Sequence, residues 1–251
     1  MISSETLIAG RVLFIGAHCD DIEIGCGGTA AKCTARGDTI AFAIATRGNN
    51  DAIRKTEAVK AAALLGLSER KKDLFFGSFL DGELNRKDTE LRAWLKEVSK
   101  QFKPDTVFVH RNDDHTDHQA IYKIAIGVFQ DKNVFLYYIP RPFTEAAHIP
   151  NYAEDISDVI RKKVAMCKCH ASQPSDYIST DSVKTSGHYW YLRCYTRFLQ
   201  RKDGYAEPFT IHAIRAALSG KTLPSSGSKA PALKYQLRLI RNADGTYEWG
   251  D

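Results

Sequence analysis

Short apolar runs at residues 11–17, 39–46, 73–76, 106–109 and 134–139 alternate with longer segments patterned for helices, and this alternation constrains the fold more than any other feature. The runs are apolar at nearly every position rather than at every second one, the pattern of strands buried on both faces. Strands of that kind pair in parallel, with the intervening helices packed over the sheet. The fold class expected is therefore α/β, a Rossmann-like three-layer sandwich with a mostly parallel sheet. Ligands bind such sheets beyond the carboxyl ends of the strands. Polar loops carrying His18, Arg47 and His115 follow the first, second and fourth runs, so the topology brings these residues toward one edge.

Helical patterning covers residues 29–36, 51–65, 89–102 and 119–129, with Leu91, Trp94, Leu95, Val98 and Phe102 forming one stripe of the third segment. Gly25, Gly27 and Gly28 read as a tight turn leading into the first of these helices. Farther along, residues 155–169 and 183–201 are helix-patterned, whereas Pro140, Arg141, Pro142 and Pro150 mark a loop flanking the pocket. Residues 1–223 are expected to form a single α/β domain, a length sufficient for a sizeable core. Residues 224–251 open with a Pro-Ser-Ser-Gly-Ser linker and end in a hairpin-like tail around Asn242-Ala243-Asp244-Gly245.

Composition narrows the partners. Thirty-five Lys and Arg against 30 Asp and Glu leave a net charge of +5 with no long basic block, so nucleic acid is not an expected partner. The six cysteines form no C-x-x-C pair, which points to a reduced, cytoplasmic setting. No uncharged apolar run reaches membrane-spanning length and the N-terminal residues do not read as a signal peptide, so membrane insertion is not expected. A small-molecule partner remains, and a homo-oligomer is compatible with the sequence.

Two clusters of histidines and carboxylates fall at the ends of the first and fourth strands: His18, Asp20 and Asp21 in one, His115, Asp117 and His118 in the other. Either cluster alone reads equally as a polar turn opening a helix, its acidic side chains complementing the helix dipole. Two of them at one sheet edge favour metal chemistry. Catalytic zinc takes three N or O ligands and keeps a position open, and two His with one Asp supply that set. Such a metal lowers the pKa of a water and polarises a carbonyl, so hydrolysis needs no covalent nucleophile. Asp20, adjacent to a candidate ligand, is placed to accept a proton. His115, with Asp117 close in sequence, is placed to stabilise an oxyanion or protonate a departing amine.

Ala17-His18-Cys19-Asp20-Asp21-Ile22-Glu23 with Gly25-Cys26-Gly27-Gly28-Thr29 resembles the A-H-P-D-D-x-E-x-G-x-G-G motif of the PIG-L/LmbE-like zinc deacetylases, and His115-Thr116-Asp117-His118 resembles their H-P-D-H. Weaker matches keep the same order: Thr46-Arg47-Gly48, Arg54 with Glu57, Phe76-Gly77 to Asp81-Gly82, Asp155-Ile156-Ser157, Lys163, His170-Ala171-Ser172-Gln173, and Tyr205 to Phe209. The resemblance implies zinc ligated by His18, Asp21 and His118, Asp20 as general base, and His115 acting on the oxyanion or leaving amine with Asp117 orienting it. It also implies sugar contacts from Arg54 and Asp81, which otherwise read as a helix charge paired with Glu57 and an ordinary Asp-Gly turn. Cys19 and Thr116 replace prolines of the family pattern, and Asn49 stands where many relatives have glutamate; none of these changes removes a ligand.

The activity expected is zinc-dependent hydrolysis of the acetamide of an N-acetylglucosamine-type sugar in a small conjugate, giving acetate and the free amino sugar. The alternatives are a metal-dependent amidase acting on a larger acyl group or a non-sugar amide, and a non-catalytic sugar- or nucleotide-binding module.

Overall fold

Strands β1 (Arg11–Gly16), β2 (Thr39–Thr46), β3 (Leu74–Phe79), β4 (Thr106–His110) and β5 (Asn133–Tyr137) pair in parallel. Two further strands, β6 (Tyr152–Asp155) and β7 (Ala206–Ala213), join antiparallel, β7 beside β5 and β6 beside β7. The resulting sheet has the order β3-β2-β1-β4-β5-β7-β6. These elements come from a computed structural model that describes residues 8, 10–46, 51–137, 139, 150–195, 203–214, 238–241 and 247–250. Arg238–Arg241 and Tyr247–Gly250, β8 and β9, pair antiparallel in a separate two-stranded sheet. Arg47 and the rest of its loop, the loop at residues 140–149, the linker after residue 223 and the turn at 242–246 lie outside the described residues.

Alternation along each strand divides the core in two. Val12, Phe14, Phe42, Ile44, Phe108 and Phe135 face one side, packing against helices α1 (Asp21–Arg36), α2 (Asp51–Ala63) and α5 (Ile160–Cys167). Leu13, Ile15, Ala43, Val107 and Val109 face the other, beneath α3 (Asp88–Phe102) and α4 (Thr116–Val128). Phe14, Phe108 and Phe135 stack across three adjacent strands with ring centroids 4.9 Å apart at each step, so aromatic packing reinforces the register. Two more helices, α6 (Ser175–Ile178) and α7 (Thr180–Tyr195), follow α5.

The order β3-β2-β1-β4-β5 reverses direction between β1 and β4. A parallel sheet opens there, because the connections leaving the two strands pass to opposite faces. Since β1 and β4 are hydrogen-bonded neighbours, with Phe14 opposite Phe108, loops almost a hundred residues apart in sequence leave the sheet side by side.

The structure departs from the sequence-based elements in three places. The glycine-rich stretch lies inside α1, which begins at Asp21 and not near residue 29. Its glycines serve close packing: a Cβ on Gly25 would overlap the buried Tyr137 ring, and one on Gly28 would lie 2.7 Å from Ile156 Cδ1. The segment expected to be one helix over 155–169 divides into β6, a 3₁₀ turn (Ser157–Val159) and α5. Asp155 Oδ1 accepts from the N–H and hydroxyl of Ser157, which favours a turn over a helix at that point. β7 is a strand where the sequence showed only a motif, its alternation interrupted by Glu207 and Pro208.

Candidate metal centre

The loop after β1 is tied down before any functional group is considered. The Ala17 carbonyl accepts from both the N–H (2.8 Å) and the hydroxyl (2.9 Å) of Thr46 at the end of β2. His18 and Cys19 follow, Asp20 is the N-cap of α1, and Asp21 is its first residue. The loop after β4 runs from Arg111 to His115, the N-cap of α4, whose Nδ1 accepts the Asp117 N–H (3.2 Å). His118 then lies in the first turn of α4.

Asp21, 5 % exposed, is the hub of the site. Its Oδ2 accepts the His18 N–H (2.6 Å) and lies 2.8 Å from His110 Nε2 and 3.3 Å from His18 Nδ1. Its Oδ1 faces His118 Nε2 at 3.5 Å. Burial opposes ionisation of this carboxylate, but His110, His118 and His18 outweigh it and hold its pKa well below the usual range.

Both flanking histidines turn one nitrogen to Asp21 and the other to a second carboxylate. His118 Nδ1 is 2.7 Å from Asp113 Oδ2, and His18 Nε2 is 3.1 Å from Asp81 Oδ1 and 3.3 Å from Asp117 Oδ2. That is the arrangement found around metal-binding histidines, in which an outer carboxylate fixes the tautomer and aims the free lone pair. Burial disfavours protonation of His18, yet Asp21, Asp117 and Asp81 raise its pKa well above 6.5. Burial acts the same way on His118, and Asp21 and Asp113 override it to bring the value to about 9.

Among the described residues, His118 Nε2 is buried without a hydrogen-bond partner. An orphaned nitrogen beside an ionised buried carboxylate is a costly arrangement for a protein alone and is what a divalent cation satisfies. Donor atoms of His18, Asp21 and His118 all lie within 4.8 Å of one another, and this borderline N/O donor set suits zinc among other divalent metals. The residues therefore fit the group. His18 with Asp81 and His115, and His110 with Asp113 and His118, form two further donor sets of similar spacing. Each contains an outer carboxylate, Asp81 or Asp113, that already lies against a ring nitrogen of His18 or His118.

Asp20 lies outside the ligand trio. Its Oδ1 accepts from Arg54 Nη2 (2.8 Å), and Arg54 Nη1 reaches toward Asp81 Oδ2 (3.7 Å). Arg54 is thus a bridge between two site carboxylates and not a surface partner of Glu57, which accepts from Ser172 N–H and hydroxyl (2.8 and 2.7 Å). Asp81 precedes Gly82, a turn glycine with φ +80°, and its carboxylate is turned onto His18.

His115 and Asp117 share a different contact from the one expected. The hydrogen bond between them is made by the Asp117 backbone, while the Asp117 carboxylate accepts the N–H groups of Gly82 (2.7 Å) and Leu84 (3.0 Å) and lies beside His18. Asp117 therefore clamps the loop after β3 to the start of α4. With Nδ1 accepting, a neutral His115 carries its proton on Nε2 and is a donor there. Its ring centroid is 4.8 Å from that of His18 and 4.7 Å from that of His118.

Two site residues escaped the sequence reading. His110, the last residue of β4, is fully buried and stacks on His118 with centroids 3.8 Å apart; burial and the neighbouring His118 charge lower its pKa to about 4, so it serves Asp21 as a neutral ring. Asp113 holds His118. The signal for His110 was a histidine closing an otherwise apolar strand. Cys19, which replaces the family's proline, is buried with its thiol pushed up to about 12 by desolvation, an inert group. Trp190 and Tyr191 of the late aromatic run are buried core residues, while Tyr189 is half-exposed.

Residues 13–129, the span that holds every residue of this centre, match the family model PIG-L, described as GlcNAc-PI de-N-acetylase. Over that span the chain resembles the PIG-L family. The chain is 29% identical over 172 residues to the uncharacterized deacetylase YaiS of Escherichia coli K12, covering 64% of this chain and 90% of that protein. It is 28% identical over 213 residues to the diacetylchitobiose deacetylase of Thermococcus kodakarensis, covering 71% and 79%. Among solved structures, the conserved protein TT1542 of Thermus thermophilus superposes with a TM-score of 0.66 at 26% identity, covering 80% of this chain and 94% of that one.

Proposed function

We propose that this PIG-L-like N-deacetylase is zinc-dependent and that its α/β unit, residues 1–223, removes the acetyl group from an N-acetylglucosamine-type sugar in a small conjugate. The products are acetate and the free amino sugar. The observation that carries the reading is the convergence of His18 Nδ1 and His118 Nε2 on the buried Asp21 carboxylate, with Asp20 as the next residue in the chain. The similarity to the diacetylchitobiose deacetylase supports an acetylated amino sugar as the substrate class. The six cysteines are free thiols, which supports a cytoplasmic setting. No helix among the described residues is long and apolar enough to cross a membrane.

His18, Asp21 and His118 would hold the zinc, which supplies Lewis acidity that lowers the pKa of water and polarises the amide carbonyl. Asp20 takes the proton of the attacking water. Arg54 occupies its Oδ1, so the carboxylate has one orientation and Oδ2 is the oxygen that receives the proton. His115 donates from Nε2 to the developing oxyanion, or to the amine as it leaves. Arg54 and Asp81, 12 % and 23 % exposed in their side chains, border the site and contact the sugar hydroxyls from there.

The test is acetate release from an N-acetylated sugar conjugate, with metal content measured in parallel. Asp20→Asn is expected to keep the metal and lose about 10²–10⁴-fold in turnover, whereas His18→Ala loses the metal. An Asp20→Asn protein releasing acetate at the wild-type rate overturns the assignment.

A further inference from the structure

Helix α1 is broken. Cys26 takes φ −146° and ψ 20°, outside the helical range, which separates a short segment beginning at Asp21 from a longer one ending at Arg36. Breaks of this kind have identifiable causes, among them a side chain inserted into the hydrogen-bond ladder. Here two inserted side chains come from distant parts of the chain. Glu207 Oε1 accepts the Gly28 N–H (2.8 Å), and its Oε2 accepts the N–H and hydroxyl of Thr29 (2.7 and 2.6 Å). Lys163 Nζ donates to the Ile24 carbonyl on the other side of the break (2.7 Å) and to Glu207 Oε1 (2.6 Å).

Lys163 is 6 % exposed and Glu207 1 %. A buried ion pair is expensive unless its geometry satisfies the remaining donors and acceptors, and this carboxylate accepts four hydrogen bonds. Among the described residues, neither side chain bonds to the metal ligands or to Asp20. The pair instead holds both lips of the break, the Ile24 carbonyl and the Gly28 and Thr29 amides. The short segment above it is fixed from the sheet side as well, since the Tyr137 ring lies against Gly25 and its hydroxyl donates to the Ile15 carbonyl (2.7 Å). That segment is the one capped by Asp20 and opened by Asp21.

We propose that Lys163 and Glu207 are positioning residues: by holding the break in α1 they set the direction in which its first segment presents Asp20 and Asp21 to the metal site. A continuous helix through Cys26 would give the first segment a different axis. The proposal rests on the assignment of Asp21 as a ligand.

The test uses the full chain with Co²⁺ as the probe, because its visible bands report ligand geometry independently of turnover. Lys163→Met/Glu207→Gln removes both charges and keeps similar volumes. The double variant is expected to remain folded by circular dichroism, to bind Co²⁺ about tenfold or more weakly, to show shifted Co²⁺ bands, and to exchange the Gly28 and Thr29 amide protons about tenfold or more faster, as opening of the break requires. Thr29→Val, which deletes only the hydroxyl bond to Glu207, is expected to move the same readouts less and decides the matter if the double variant does not fold. Wild-type protein that binds no Co²⁺ refutes the metal assignment, while the exchange rates still judge the break. A folded variant with wild-type bands, affinity and exchange overturns the proposal, as does one whose only change is a lower unfolding temperature.

Discussion

Removing the carboxylate of Asp113 is a sharp probe of how the centre is built, because the residue lies outside the proposed ligand trio yet holds one of its members. Its Oδ2 holds His118 Nδ1 at 2.7 Å, and its Oδ1 accepts the His115 N–H at 2.8 Å. Without it, His118 keeps its place in α4 but loses the partner that fixes its tautomer and aims Nε2 at Asp21. Outer-shell carboxylates of this kind contribute about 10–100-fold in metal affinity, which is roughly 1.4–2.8 kcal/mol at about 1.4 kcal/mol per decade. Asp113→Ala is therefore expected to weaken zinc binding by that factor. The orphaned His115 N–H should cost about 1 kcal/mol of fold stability in addition. Asp113→Asn keeps an acceptor oxygen for only one of the two contacts and should fall between wild type and alanine. Competition against a chromophoric chelator at one fixed pH measures the affinities, and chemical denaturation of the metal-free proteins measures the stability. Zinc affinity for Asp113→Ala within about twofold of wild type, well short of the usual outer-shell effect, would refute the reasoning and mean that packing on His110 alone orients His118.

Gly25→Ala is expected to lower stability by about 1–3 kcal/mol, since the added methyl falls 3.2 Å from Ile139 Cδ1 and overlaps the Tyr137 ring; an unchanged denaturation midpoint would contradict this packing. The His118 pKa, raised to about 9 against burial by Asp21 and Asp113, makes a pH signature. Because the folded value lies above the unfolded one of about 6.5, its stabilisation of the metal-free protein is complete below the lower value. It is lost as pH rises through the upper one. The unfolding temperature of metal-free protein should fall across that window while zinc affinity rises, because binding must displace the proton; a zinc affinity flat over the window would count against protonated His118 in the metal-free state.

The part of the centre readable from the sequence was the part set by local order. Short apolar runs specified parallel strands, parallel strands specified polar loops at one edge, and those loops carried His18, Asp20, Asp21, His115, Asp117 and His118. What brings the two loops together is the adjacency of β1 and β4, a matter of strand order that periodicity does not encode. The residues that escaped notice share a different property. Asp113 resembles any acidic residue before a helix, and His110 any polar strand end, until the fold places them on His118 and Asp21. The glycines of α1 misled for the same reason: locally they favour a turn, but Tyr137 and Ile156 approach so closely that only glycine fits. Arg54 and Asp81 were expected as sugar contacts from the family resemblance, and their mutual bridge to Asp20 and His18 was not legible, because Arg54 and Glu57 sit at a spacing that fits a surface pair equally well.

Every residue of the proposed donor trio has been synthesised by His118, whereas Glu207, which grips the break in α1, is synthesised 89 positions later. At about 5–20 residues per second that interval is roughly 4–18 s. A nascent chain ending after β5 contains all three proposed metal ligands and the residues of the neighbouring strands β1 and β4, yet has neither half of the Lys163–Glu207 pair beneath the first turn of α1. On the proposed assignment, the ligands and the pair that aligns them are thus made at separate times during synthesis, and the late strand β7 completes a centre whose proposed ligands were all supplied by the first half of the chain.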